Sequence, residues 1–148
     1  MSPTTTTAAA DVAGTPADKA LLIIRIAAGI VFLYHGSQIL FKAFGGPGIE
    51  GFAAFTKMPL FVAALVGLAE FCGGLAVITG VLARIGAACL VIVMLGAILL
   101  VHLPHGFNVE QGGMEYALTQ FFIALAILID GPGIYSLGRI LPAPVRRL

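Results

Sequence analysis

Four long apolar stretches, over residues 20–44, 60–82, 85–103 and 114–129, alternate with short polar or Gly/Pro-rich connections. A helical crossing of a bilayer takes about 20 apolar residues, so the pattern predicts four membrane spans. The other spans are expected to be organised around the second. A carboxylic acid, Glu70, stands almost at its midpoint. Such a group is costly in hydrocarbon and normally faces a partner or a watery cavity inside a bundle. Gly67 and Gly74 stand three before and four after it and share its face. Small residues on that face let another helix approach closely, so Glu70 is expected to point at neighbouring helices.

The connections have their own signals. Gly45-Gly46-Pro47-Gly48 stops the first span. Ile49, Phe52 and Phe55 follow at helical spacing, with Glu50 and Lys57 among them, which predicts a short interfacial helix over residues 49–58. Pro59 marks the break before the second span. Arg84 sits in a very short connection, which makes spans two and three an antiparallel hairpin. Met94, Ile98, His102 and His105 fall on one face of span three, but Pro104 is expected to end that helix past His102. Span four carries Glu115, Tyr116, Thr119 and Gln120 in its first half and ends at Asp130 and Gly131-Pro132-Gly133.

Composition turns the pattern into a class. With 148 residues, 59% hydrophobic and 10% charged, the chain is too apolar for a soluble domain of its size. Its mean hydropathy is +1.06. The fold class is all-α: an integral membrane four-helix bundle in the lipid bilayer, covering residues 19–137. Residues 1–18, rich in Thr, Ala and Pro, read as a disordered tail. They do not read as a secretory signal, since no Lys or Arg precedes Lys19 and the apolar run that follows is too long. Residues 138–148 read as a basic tail with Arg146 and Arg147. A net charge of +1 gives no pull toward nucleic acid. Cys72 and Cys89 lie inside apolar runs, read as small buried hydrophobes, and form no C-x-x-C pair. Trp is absent, leaving Tyr34, Tyr116 and Tyr135 for the interfacial belt.

Charge also sets an orientation. Of the eight Lys and Arg, Lys19, Arg25, Arg84, Arg139, Arg146 and Arg147 fall on the side of the termini, and Lys42 and Lys57 on the other. That bias predicts cytoplasmic termini.

Depth along each span then places the polar groups. Glu70 is near the midplane, and His35 lies about 15 Å beyond Arg25 along span one. Gln38 shares a face with His35. With His102, Glu115, Tyr116 and Gln120, these groups fall between the midplane and the outer face, and predict one pocket open outward. A carboxyl and an imidazole at one site can pass protons, which suits Glu70 and His35 as catalytic groups for the protonation step of quinone reduction, or for proton-coupled transport. Gln38, His102, Glu115, Tyr116 and Gln120 would complete the lining. Arg25 and Arg84 are expected to be anchors with snorkelling side chains near Asp130. Polar groups inside spans also serve simply to hold helices together, at about 0.6–2 kcal/mol each. No local ligand spacing points to a haem or a metal.

The ordered motifs His35-Gly-Ser-Gln38, Gly51-Phe-Ala-Ala-Phe55, Gly67-Leu-Ala-Glu70-Phe-Cys-Gly-Gly74, Thr79-Gly80 with Arg84, Val101-His102-Leu-Pro-His-Gly-Phe107 and Gly112-Gly-Met-Glu115-Tyr116 resemble the DoxX family of small bacterial membrane proteins. The resemblance runs from Leu21 nearly to Leu137. It implies a four-helix membrane bundle. It also implies a role as the membrane subunit of a redox complex with protein partners, since family members include a subunit of a thiosulfate:quinone oxidoreductase and a partner of a superoxide dismutase and a sulfurtransferase. The expected function is therefore a membrane subunit of a quinone-linked or redox-stress oxidoreductase. A non-catalytic scaffold or assembly factor, and a small-solute or proton-linked transporter in a homo-oligomer, are the alternatives. The thiol-exchanging member relies on cysteines that have no evident counterpart pair here.

Overall fold

A computed structural model of the chain describes residues 14–142. Residues 1–13 of the expected N-terminal tail, and residues 143–148 of the basic tail with Arg146 and Arg147, lie outside the described residues.

The first helix, α1 (Pro16–Phe41), starts earlier than the apolar pattern implies. The Thr15 hydroxyl accepts from the Asp18 backbone N–H at 3.2 Å, and the Asp18 carboxylate accepts from the Thr15 N–H at 2.9 Å. This reciprocal cap, with Pro16 opening the helix, satisfies two otherwise orphaned donors and draws residues 16–18 out of the expected tail into the helix. A short amphipathic helix, α2 (Gly48–Thr56), follows, then α3 (Leu60–Thr79), α4 (Ala83–Gly96) and α5 (Glu115–Asp130). Among the described residues, three helical stretches are long and apolar enough to cross a membrane: Pro16–Phe41, Leu60–Thr79 and Ala83–His105. The 16 residues of α5 span roughly 24 Å at the helical rise.

The third of these stretches corrects the break expected at Pro104. Winding continues beyond α4 as a π-helical turn, Ala97–His102, and then a tight 3-10 turn, Leu103–His105. A proline ring clashes with the carbonyl four residues before it and offers no N–H. A wider turn ahead of Pro104 shifts that carbonyl while keeping the chain helical.

Neighbouring helices pack in the order α1 on α3, α3 on α4, α4 on α5, with a lighter closing contact from α5 to α1. The first of these contacts depends on glycine. A Cβ on Gly36 would come within 2.4 Å of the Phe71 backbone nitrogen, and one on Gly74 within 2.9 Å of the Gly29 carbonyl oxygen. Backbones this close are the pattern expected where lipid supplies no hydrophobic force between helices. Phe32, Val77, Leu90 and Ile127 are almost fully buried between the helices. Ile23, Phe61 and Ile129 point outward, each at least two-thirds exposed, as a lipid-facing surface requires. Cys72 lies on that outer surface rather than in the interior, and Cys89 is half-buried; both thiols are free.

Two arginines fasten the end of the bundle that carries the termini. Arg25 is completely buried, not snorkelling. Its guanidinium donates to the carbonyls of Val77 (2.8 Å), Ile78 (2.9 Å), Tyr135 (2.8 Å) and Pro132. Arg84 donates to the carbonyls of Leu128 (2.7 Å), Ile129 (3.0 Å) and Asp130 (3.1 Å). The last carbonyls of a helix lack intrahelical partners and carry its partial negative charge. A guanidinium has five donors in a fixed fork, so each arginine caps the C-terminal end of another helix. The Asp130 group that meets Arg84 is thus its backbone carbonyl, not its carboxylate. Among the described residues the salt bridge found is Lys42–Glu50, at 3.7 Å on the surface. Gly80 leaves room for this arrangement: its φ is 77°, and a Cβ there would lie 2.7 Å from Arg25 Nη2.

Candidate functional site

The opposite half of the bundle holds a cavity of about 400 Å³. Every helix contributes to it: the later half of α1, α2, the first half of α3, the end of α4 with its π turn, and the start of α5. Its walls are mainly apolar, with Phe32, Phe52, Phe55, Val66, Met94 and Leu100 among them. Six polar side chains interrupt the apolar surface: His35, Thr56, Glu70, His102, Tyr116 and Gln120.

Glu70 is 7% exposed, as is Gln120. Glu70 Oε2 and Gln120 Oε1 are buried and accept no hydrogen bond from any described residue. Leaving a buried acceptor unpaired typically costs about 1–3 kcal/mol, more if it is charged, so two of them in one cavity wall are an exception to the usual pairing of buried polar groups. Gln120 is one helical turn beyond Tyr116, so both reach the cavity from one face of α5. The Tyr116 ring lies 6.5 Å from the His35 ring, centroid to centroid, with planes tilted by 59°. Tyr34 meets His35 edge-on at 5.5 Å and stacks on Phe44 at 5.0 Å, which steadies the imidazole from its other side.

His102 is held differently. Its Nδ1 lies 2.7 Å from the Gly112 carbonyl oxygen. A carbonyl can only accept, so Nδ1 carries the hydrogen in this contact. His105 bonds the Val101 carbonyl through Nδ1 at 3.0 Å and stays outside the lining.

Two residues expected in the lining are absent from it. Gln38 lies against the turn after α1, where a Cβ on Gly46 would come within 2.4 Å of its own Cβ. Three residues beyond His35 is a step of about 60° around the helix and about 4.5 Å along it, enough to clear the cavity. Glu115 opens α5, and its carboxylate accepts from the Val109 N–H at 3.2 Å, closing the preceding loop. One position from Tyr116 is a turn of about 100°, which takes Glu115 away from the interior. Thr119 is likewise outside, its hydroxyl donating to the Glu115 carbonyl at 2.9 Å.

Other contributors escape the sequence. Thr56 and the α2 phenylalanines line the cavity, though α2 reads as an interfacial element. The signal available was the spacing of Phe52 and Phe55, which gives α2 an apolar face to turn inward. The π turn brings Ala97, Leu100, Val101 and His102 to the wall, and Pro104 is its sequence trace.

The fold and cavity define a multi-span helical membrane protein with a polar-studded cavity that opens to the bundle surface beside Phe55, Ile92 and Leu100. The chain belongs to the DoxX family, whose family model matches residues 20–103. It is 37% identical over 133 residues to the "Uncharacterized membrane protein Rv3486" of Mycobacterium tuberculosis, covering 80% of this chain and 79% of the relative. It is 31% identical over 106 residues to the "Putative oxidoreductase CatD" of Bacillus subtilis, covering 72% and 76%. The "Inner membrane protein YqjF" of Escherichia coli is 32% identical over 126 residues, covering 84% and 93%. No solved structure matches.

Proposed function

We propose that this protein is the membrane subunit of a quinone-linked oxidoreductase complex in the bacterial inner membrane, and that its cavity holds a quinone-type headgroup. The observation that carries this reading is the pair of unpartnered oxygens on Glu70 and Gln120 in an otherwise apolar chamber of about 400 Å³. Ligand pockets are typically apolar cavities of about 300–1,000 Å³ with a few convergent polar groups. Side chains serving only to join helices would find donors in the bundle, and these two oxygens have none, which weighs against a purely scaffolding role.

In this reading Glu70 and His35 move protons, since reducing a quinone to a quinol takes up two protons with two electrons. Tyr116, Gln120 and His102 orient the ring, while Gln38 and Glu115 support the neighbouring turns. The electrons come from a partner protein. One relative's name, an oxidoreductase, and another's, an inner membrane protein, agree with this assignment. The test is quinone reductase activity in membranes carrying Glu70→Gln in place of the wild-type chain. The expected result is a loss of about 100-fold or more, as for removal of a general acid–base group. Unchanged activity at equal protein level rejects the reading.

A further inference from the structure

One side of the cavity's mouth is formed by a helix that is fastened less firmly than the rest. Phe55, Ile92 and Leu100 line the cavity and are each 70–75% exposed, so the opening lies between α2 and α4 on the apolar surface of the bundle. The α4 edge is fixed: α4 packs along α3 and α5, and Arg84 in its first turn ties it to the end of α5. The α2 edge is not. α2 packs lightly on α3 and α1, with Ala53 buried. Among the described residues no hydrogen bond joins α2 to another helix, and the Thr56 hydroxyl donates to the Phe52 carbonyl of its own helix at 2.7 Å. The Lys42–Glu50 pair crosses the entry turn, but both groups are mostly exposed, and such surface pairs hold little.

Both ends of α2 carry hinge geometry. Lys42 and Phe44 before it, and Lys57 after it, have φ of 55°, 53° and 56°. Left-handed backbone is disfavoured for residues with a side chain, more so for a bulky one. Such strain gathers at clamps and switch regions, and hinges are a few element-terminal residues that absorb large backbone rotations. Phe52, Phe55 and Thr56 would leave the cavity wall together if the helix turned as a unit. Opening relaxes the left-handed residues but exposes the apolar face of α2. The two effects oppose each other and bring the two positions close in free energy.

We propose that α2 is a hinged gate on the cavity. It swings as a unit about the turns at 42–48 and 57–59, and its outward position widens the mouth between Phe55 and the edge formed by Ile92 and Leu100, admitting molecules dissolved in the bilayer. The gate does not depend on the ligand being a quinone.

The experiment measures distances between nitroxide labels by pulsed electron spin resonance, on the full chain in lipid nanodiscs, with Cys72→Ser and Cys89→Ala as background. One labelled pair is Ile23→Cys on α1 with Phe55→Cys on α2. The control pair is Ile23→Cys with Phe61→Cys, which lies on α3 just beyond the exit hinge. All three sites are at least two-thirds exposed, so the labels leave the core undisturbed. The expected result is a two-peaked distribution for the α2 pair and a single narrow peak for the control. Lys57→Val, β-branched and ill-suited to a left-handed hinge, should raise the second population at least about threefold. In the same background, Ala97→Cys in the cavity wall should react with a lipid-soluble maleimide at least about threefold faster once Lys57→Val is added. A single narrow peak for the α2 pair with and without Lys57→Val, or equal broadening of the control, overturns the gate. Movement of α2 with no change in Ala97→Cys labelling overturns its role in admitting molecules. Should Lys57→Val fail to fold, by its melting temperature, the two distributions of the chain with Lys57 decide the matter alone.

Discussion

The Nε–H of Arg25 donates to the carbonyl of Val77 at 2.8 Å, across 52 positions of sequence. This contact ties α1 to the C-terminal end of α3, and the rest of the guanidinium reaches Ile78, Pro132 and Tyr135. A single buried cation therefore holds together three parts of the chain. Arg25→Met keeps much of the aliphatic stem but strips every donor from four carbonyls. We expect it to destabilise the protein by at least about 3 kcal/mol, read as a fall in melting temperature in detergent. Arg25→Lys, with a point charge in place of the fork, should recover only part of the loss.

The contact between α1 and α3 depends on Gly36 in a way that Gly96 does not share. A Cβ at Gly36 meets Phe71 backbone at 2.4 Å, whereas one at Gly96 meets nothing within 4 Å. Gly36→Ala should force the helices apart and cost about 1–3 kcal/mol. Gly96→Ala should be neutral or stabilising by up to about 1 kcal/mol, because alanine favours helix. Thermal unfolding of the two variants side by side checks the contrast.

The Thr15 cap opens the first span, so its loss should be felt there alone. Thr15→Ala removes the acceptor for the Asp18 N–H, with an expected cost of about 1 kcal/mol. Hydrogen exchange should speed up in the first turn of α1 and remain unchanged in α3 and α4.

His102 joins the end of the π turn to the loop before α5 through the Gly112 carbonyl. His102→Leu should cost about 1 kcal/mol in stability. It should also raise hydrogen exchange across residues 106–113, an effect limited to that loop.

What the sequence discloses and what it withholds divide along physical lines. The spans are legible because apolar run length reports the bilayer, and Glu70 announces itself as a lone acid at mid-span. The glycines flanking Glu70 predict close packing, and both Gly67 and Gly74 meet α1. The burial of Arg25 is not legible, because its partners are backbone carbonyls, which have no sequence signature, and because a cation in the first turns usually reaches for headgroups. The π turn is hidden for a similar reason: Pro104 signals a disturbance, not how the backbone absorbs it. Gln38 and Glu115 go astray because depth along a helix is read from sequence more easily than facing. A step of three residues or of one changes the direction of a side chain by about 60° or about 100°.

The most direct test of the account is the quinone retained by protein extracted gently with its native lipids, measured by mass spectrometry per mole of chain. It should approach one quinone or quinol per chain for the wild type and fall several-fold in Glu70→Gln purified in the same way. A wild-type content no higher than that of an unrelated four-span protein from the same membranes would contradict a headgroup site between Glu70 and Gln120.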